Sequence, residues 1–104
     1  MRYKIKYMDS SLYDMANIKE YLSQFYASSW VKVMSAIEHR AELLKDMPYS
    51  FPLYPGNAIY RKLVVGNYIV LYRIIEKDHI VEIHAIWHGS VNIVEHIENL
   101  PNKP

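Results

Sequence analysis

Lys62, Arg73, His84 and His88, with Tyr60 alongside, are the residues of this chain best suited to chemistry on a phosphate-bearing substrate. Cations hold phosphate and stabilise charge as it builds in a transition state, and an imidazole titrating near neutrality moves protons. On one sheet face these groups would bind an RNA strand and perform acid–base work on it. Plainer roles stand beside that reading. Strand alternation sets Arg73 opposite Glu82, where a cross-strand ion pair would engage both, and histidines at surfaces and interfaces are common. His84, His88 and Glu82 share the same predicted face, but such spacing arises readily by chance, and no metal site is expected.

Other chemistries lack their residues. The absence of cysteine removes disulfides, a thiol nucleophile and thiolate metal sites. Three glycines supply no phosphate-cradling loop, no dinucleotide fingerprint and no nucleophile elbow. No carboxylate pair suits glycoside hydrolysis. No cofactor is expected.

The elements that must position these residues follow from periodicity. Over residues 2–8, Tyr3, Ile5 and Tyr7 alternate with Lys4 and Lys6, which predicts a strand with one wet face. Leu12, Met15, Ile18, Leu22 and Phe25 then recur at helical spacing behind Ser11, the expected N-cap, with Asp14 adding negative charge to the first turn. Ser28 and Ser29 interrupt this run and can cap a second helix. There Trp30, Val33, Met34, Ile37, Ala41 and Leu44 form a stripe that Pro48 ends. So short a link predicts a helix hairpin.

Pro48, Pro52, Pro55 and Gly56 mark a constrained loop over 48–57. Three strands are predicted after it, over 58–65, 68–76 and 79–87, turning at Gly66–Asn67 and Lys77–Asp78. Counting outward from those turns puts Ile59, Arg61, Leu63 and Val65 on the face of Tyr68, Val70, Tyr72, Ile74, Val81, Ile83, Ala85 and Trp87. That nearly apolar face is expected to receive the helices. The opposite face collects Tyr60, Lys62, Val64, Ile69, Leu71, Arg73, Ile75, Ile80, Glu82, His84, Ile86 and His88 as a partly covered working surface. Arg73 and Trp87 should therefore point opposite ways, and a one-residue slip would exchange such assignments. Val91, Val94, Ile97 and Leu100 predict a short C-terminal helix. The order is β-α-α-β-β-β, an α+β fold with a helix hairpin packed on an antiparallel sheet.

Bulk properties agree. The 104 residues make one domain, 1–104, and 51% hydrophobic with 22% charged residues is a globular composition. A formal net charge of +1 predicts no nucleic-acid affinity from charge alone. No apolar run has the length of a membrane span and the alternating N-terminus is no signal peptide, so a cytoplasmic location without membrane contact is expected. Ten tyrosines among the aromatics suit sheet faces or a binding surface.

The ordered set of pieces resembles the RelE/ParE toxin superfamily over about residues 1–92. It comprises the first strand, a helix hairpin with Asp14, Ile18 and Tyr21, and the Leu43 to Pro48 helix exit. Tyr60-Arg61-Lys62-Leu63, Gly66-Asn67-Tyr68-Ile69-Val70-Leu71-Tyr72-Arg73-Ile74 and Ile83-His84-Ala85-Ile86-Trp87-His88-Gly89 complete it. The resemblance implies the toxin of a type II toxin–antitoxin system, wrapped by a cognate protein antitoxin, as a homodimer or a toxin–antitoxin hetero-oligomer. Tyr13, Tyr21 and Tyr26 are the expected antitoxin contacts, and Tyr60, Arg61, Arg73, His84 and His88 the expected target-binding residues.

Two branches imply different targets. Members that cut messenger RNA on the ribosome carry an arginine just after the hairpin turn and a C-terminal tyrosine. Here the turn is followed by Tyr68-Ile69-Val70, and no tyrosine follows Tyr72. Only Lys62, Arg73 and His88 remain as catalytic residues for an endoribonuclease. The ParE-like branch, which includes plasmid stabilisation proteins and poisons DNA gyrase, fits the Tyr-Ile-Val-Leu-Tyr-Arg strand and the His-Gly ending better. Many of its members continue with Arg-Arg-Asp, where this chain has Ser90-Val91-Asn92. The ParE-like reading leads; a ribosome-dependent nuclease and a non-toxic antitoxin-binding relic are the alternatives.

Overall fold

The computed structural model describes residues 2–25 and 28–89. Tyr26 and the C-terminal helix expected after residue 90 lie outside them. The elements are β1 (Lys4–Tyr7), α1 (Asp9–Ser23), α2 (Ser29–Ala41), β2 (Arg61–Val65), β3 (Tyr68–Ile75) and β4 (Ile80–His88). A 3-10 turn, Glu42–Lys45, extends α2. The strands form one mixed sheet in the order β1-β4-β3-β2. The closing three strands pair antiparallel, as expected, and β1 adds to β4 in parallel.

α1 starts earlier than its apolar stripe implies. Met8, not Ser11, is the N-cap and makes no side-chain cap, while Asp9 puts a carboxylate in the first turn, where the helix dipole favours it. Ser11 is fully buried, its hydroxyl donating to the Met8 carbonyl at 2.7 Å. Met15 and Ile18 pack on the core, but Leu12 and Phe25 are 48% and 60% exposed, contrary to the stripe read from spacing. The inward face instead runs through Ser11, Asp14, Met15, Ile18 and Leu22. Ser28 does sit at the N-cap of α2, without a side-chain cap. Ser29 donates to the Leu22 carbonyl at 3.1 Å and so satisfies an orphan acceptor at the end of α1.

The α2 stripe packs as expected, with Ile37, Ala41 and Leu44 sealed against Leu63, Val70, Tyr72, Val81 and Ile83. Below it the Tyr72 hydroxyl donates to the Pro48 carbonyl at 2.6 Å, fixing the helix exit to β3. The Gly66–Asn67 turn holds its expected register, Val65 opposite Tyr68, with Gly66 at φ 59 in the turn position that favours glycine. The second turn is longer than Lys77–Asp78. A 3-10 turn over Glu76–Asp78, closed by His79 at φ 52, joins Ile75 to its partner Ile80.

Register from that turn sets Arg73 opposite Glu82, as counted from sequence, and then breaks once. Tyr72 pairs with Ile83 but Leu71 pairs with Ala85, leaving His84 as an extra residue in β4. Such a bulge reverses alternation for the rest of the strand. Ile86 therefore joins the core beneath the helices, while Ala85 and Trp87 pack on the other face with Tyr60 and Leu71. Arg73 and Trp87 share a face, and His88 moves to the helix side. Ile59 also leaves its expected face. Its amide and that of Tyr60 donate to Asn57 Oδ1 at 2.8 and 2.7 Å, a side-chain turn that ends alternation before Arg61.

Leu63 and Ile83 are fully buried and Val64 is 50% exposed. Ile83→Ala is expected to cost about 2–5 kcal/mol, whereas Val64→Ala should stay within about 0.5 kcal/mol. Equilibrium denaturation of both variants measures the difference.

Candidate functional site

The face away from the helices is covered by the segment between α2 and β2. Leu53 bridges Arg61, the Lys62 amide donates to the Pro52 carbonyl at 3.0 Å, and the Tyr54 amide donates to the Tyr60 carbonyl at 2.9 Å. Tyr54 and Ile59 then close over Tyr60, Leu71 and Ala85. The far end of the segment is held at the β3–β4 turn, where Glu76 takes the hydroxyls of Tyr3 at 2.6 Å and Tyr49 at 3.0 Å. Those bonds hold the Glu76 carboxyl below its usual range.

Beneath this cover three of the sequence-picked residues do meet. Glu82 Oε1 lies 3.1 Å from Arg73 Nε and 3.0 Å from His84 Nε2, and Tyr60 meets the His84 ring edge-on at 5.4 Å. His84 is fully buried and Tyr60 is 1% exposed. Burial disfavours the charged form of each group. It lowers the His84 pKa against the pull of Glu82 and raises that of Tyr60. At neutral pH the imidazole is thus uncharged, with the tautomer that donates from Nε2 to Glu82 favoured. Tyr60 Oη and His84 Nδ1 are buried with no hydrogen-bond partner among the described residues. The Arg73 charge is matched by Glu82 in the cross-strand pair.

The other picked residues are elsewhere. Lys62 stands at the margin, its Nζ 5.9 Å from the Tyr54 ring centroid. Arg61 lies on the helix side, donating to the Phe51 carbonyl at 2.7 Å and standing over the Tyr49 ring. His88 is exposed at the end of β4, on the opposite face from Arg73, against Tyr68 at 5.6 Å. The bulge therefore separates His88 from Lys62 and Arg73, and from His84 and Glu82. Among the described residues no three His, Asp or Glu gather as a metal site.

His88 borders a feature that periodicity did not reveal. Ile18, Tyr21 and Leu22 of α1 face Asn67, Tyr68 and His88 across a groove of about 540 Å³. A hollow of about 230 Å³ lies past Tyr68, against Val33 and Ala36 of α2. Large apolar side chains are also exposed on and just after α1. Leu12, Tyr13 and Tyr21 of α1 and Phe25 just past its end are 48–69% exposed, with Tyr21 and Phe25 edge to face at 5.2 Å. Tyr13 and Tyr21, picked from sequence, are among them.

The family model for the ParE toxin of the type II toxin–antitoxin system parDE matches residues 5–93. A chain of the chromosomal ParDE system of P. aeruginosa is similar at 14% identity and TM-score 0.72, covering 84% of this chain and 96% of that one. One from the Mycobacterium tuberculosis RelBE2 toxin–antitoxin complex is 20% identical, with TM-score 0.60 over 85% and 99% of the two chains. A mutant of E. coli toxin RelE in the free state is 12% identical, with TM-score 0.60 over 92% and 93%. No curated protein matches the sequence. No helix among the described residues is long and apolar enough to cross a membrane.

Burial of His84 as the neutral form makes stability depend on pH. The unfolded imidazole gains a proton below about 6.5, while the folded one resists until lower pH. The stability of the wild type relative to His84→Gln should therefore be constant above that value and shrink as the pH falls below it. Urea melts of both proteins at pH 7.5, 6 and 5 measure this; a gap unchanged across the series contradicts the burial of a neutral imidazole.

Proposed function

The chain belongs to the ParE toxin family of type II toxin–antitoxin systems, and from that premise we propose that it is a non-catalytic poison of DNA gyrase, acting in the cytoplasm and neutralised by a protein antitoxin. The observation that carries the reading is the fate of the residues a nuclease would use. Arg73 is tied to Glu82, His84 and Tyr60 are buried beneath the loop, and His88 stands on the opposite face. A phosphodiester approaching Lys62 meets no proton-transfer group of this set beside it, and general acid–base catalysis needs such a group within hydrogen-bond reach. Binding and distortion of a macromolecule need no such convergence.

Tyr13 and Tyr21, exposed on α1, suit contact with an amphipathic antitoxin segment laid along the helix hairpin. Similar chains have been solved in toxin–antitoxin complexes, RelBE2 among them and the RelE–RelB complex of Pyrococcus horikoshii. The reading also takes the chain as a single domain over 1–104.

Purified chain added to gyrase is expected to inhibit supercoiling and to trap cleaved DNA, with reversal on adding the antitoxin. Translating ribosomes given the same protein should yield no new transcript ends. Codon-positioned messenger cleavage that Arg73→Ala abolishes, with gyrase unaffected, would overturn the proposal in favour of an endoribonuclease.

A further inference from the structure

The segment over the loop-side sheet face is fixed firmly at one end and lightly along the rest. Residues 48–51 are anchored by the Tyr72 hydroxyl on the Pro48 carbonyl at 2.6 Å, the Tyr49 hydroxyl on Glu76 at 3.0 Å and Arg61 on the Phe51 carbonyl at 2.7 Å. Phe51 also packs into the helix-side core. From Pro52 onward the ties are the Leu53–Arg61 bridge and the bonds from the Lys62 amide to Pro52 and from the Tyr54 amide to Tyr60. Under this stretch lies His84, fully buried, with Nε2 3.0 Å from Glu82 and Nδ1 without a hydrogen-bond partner among the described residues. We propose that residues 52–59 are an acid-released cover, lifted from the sheet when His84 takes up a proton at Nδ1.

A neutral imidazole gives its one N–H to Glu82 and keeps Nδ1 as an acceptor. Protonation makes Nδ1 a second donor and adds a charge, and the closed form accommodates neither. Glu82 already pairs with Arg73 of β3 at 3.1 Å and stands opposite Lys6 in the β1 register. Tyr60 meets the ring edge-on, with Tyr54 packed over Tyr60 and Lys62 adding a like charge at the margin. From α1, the Ser10 hydroxyl takes the His84 carbonyl at 2.6 Å, while the Asp14 carboxylate is engaged by the Ile86 amide at 3.0 Å. β4 is also paired with β3 on either side of the bulge, so the ring stays in place and the weakly tied cover moves. Water then reaches Nδ1 and the Tyr60 hydroxyl, which is likewise unpartnered in the closed form. The anchored end does not respond in the same range. Hydrogen bonds from Tyr3 and Tyr49 hold Glu76 ionised below the usual carboxylate range, and His79, stacked on Tyr3, favours that charge. Lifting the cover bares Tyr60, Leu71 and Ala85 beside Arg73. Acidity thus sets when this sheet face can meet a partner, whichever target the chain acts on.

Amide hydrogen exchange of the full-length chain at pH 7.5, 6 and 5, expressed as protection factors, tests this. An open form whose imidazole titrates near about 6.5, against a closed form that resists the proton, gains population by about tenfold to thirtyfold across that range. The Tyr54 and Lys62 amides, bonded across the cover, should lose protection by that factor. Met8, whose amide donates to the Ile83 carbonyl, and Ile37 within α2 should keep theirs. His84→Gln should make the Tyr54 and Lys62 protection independent of pH. Equal loss at all four amides is global unfolding and overturns the cover. Constant protection of Tyr54 and Lys62 in the wild type overturns it too, as does a loss that persists in His84→Gln. The wild-type His84 ring, followed by NMR, supplies a check that needs no substitution and so survives a variant that fails to fold. Its titration should fall below about 6.5, and a ring that titrates at or above that value contradicts release by protonation.

Discussion

β1 ends at Tyr7, opposite Ile83, while β4 continues to His88, so the outer edge of β4 runs on past its partner. Bare backbone groups there would cost about 1–3 kcal/mol each if buried without partners. The first turns of α1 supply those partners. The Met8 amide donates to the Ile83 carbonyl, the Ser10 hydroxyl donates to the His84 carbonyl at 2.6 Å, and Asp14 Oδ2 accepts from the Ile86 amide at 3.0 Å. A strand edge is thus closed by side chains of a helix, which also blunts it against pairing with another chain. Ser10 grips β4 at the bulged His84 itself and Asp14 grips it two residues beyond, at Ile86. Their placement fixes how far α1 is rolled about its axis, and that roll turns Ser11, Met15 and Ile18 inward and Leu12, Tyr13, Tyr21 and Phe25 outward.

The bulge itself divides the sheet's two faces. Before it, alternation sends Val81 and Ile83 to the helices and Glu82 to the loop side; after it, Ile86 takes the helix side and Ala85 and Trp87 the loop side. The polar cluster of Arg73, Glu82, His84 and Tyr60 is enclosed between that sheet face and the segment running from Pro52 to Tyr60. The mutual pairing of Arg73, Glu82 and His84 makes the cluster a structural network, while Leu12, Tyr13 and Tyr21 stand exposed on α1.

Much of this was readable in the residues. Turn chemistry at Gly66–Asn67 and the strongly apolar runs on either side located the hairpin and its register, and the Arg73–Glu82 pairing followed by counting. The α2 stripe and its stop at Pro48 were equally legible, because spacing and proline chemistry are local signals. The His84 bulge was not. Nothing in Ile83-His84-Ala85-Ile86 distinguishes a strand with an extra residue from one without, since both faces of β4 are covered and apolar side chains occur at both parities. The roll of α1 escaped for a related reason. Ser11 and Asp14 read as helix-start residues, and their inward orientation depends on acceptors and donors of a strand far along the chain. His88 at the groove could have been found only with the bulge in hand, whereas Asn67 and Tyr68 follow from the hairpin register.

Amide hydrogen exchange at Ile86 measures the α1–β4 clamp most directly. Its N–H is hydrogen-bonded to a carboxylate, an interaction that contributes about 1.5–3 kcal/mol, so its loss should speed local exchange by about tenfold or more. The Ile86 amide is expected to be strongly protected in the wild type and to exchange at least about tenfold faster in Asp14→Ala. The Ile83 amide, which lies in the stretch of β4 paired with β1, should slow or quicken only with global stability. An Ile86 amide that exchanges freely in the wild type, or one whose protection Asp14→Ala leaves unchanged, would contradict the account.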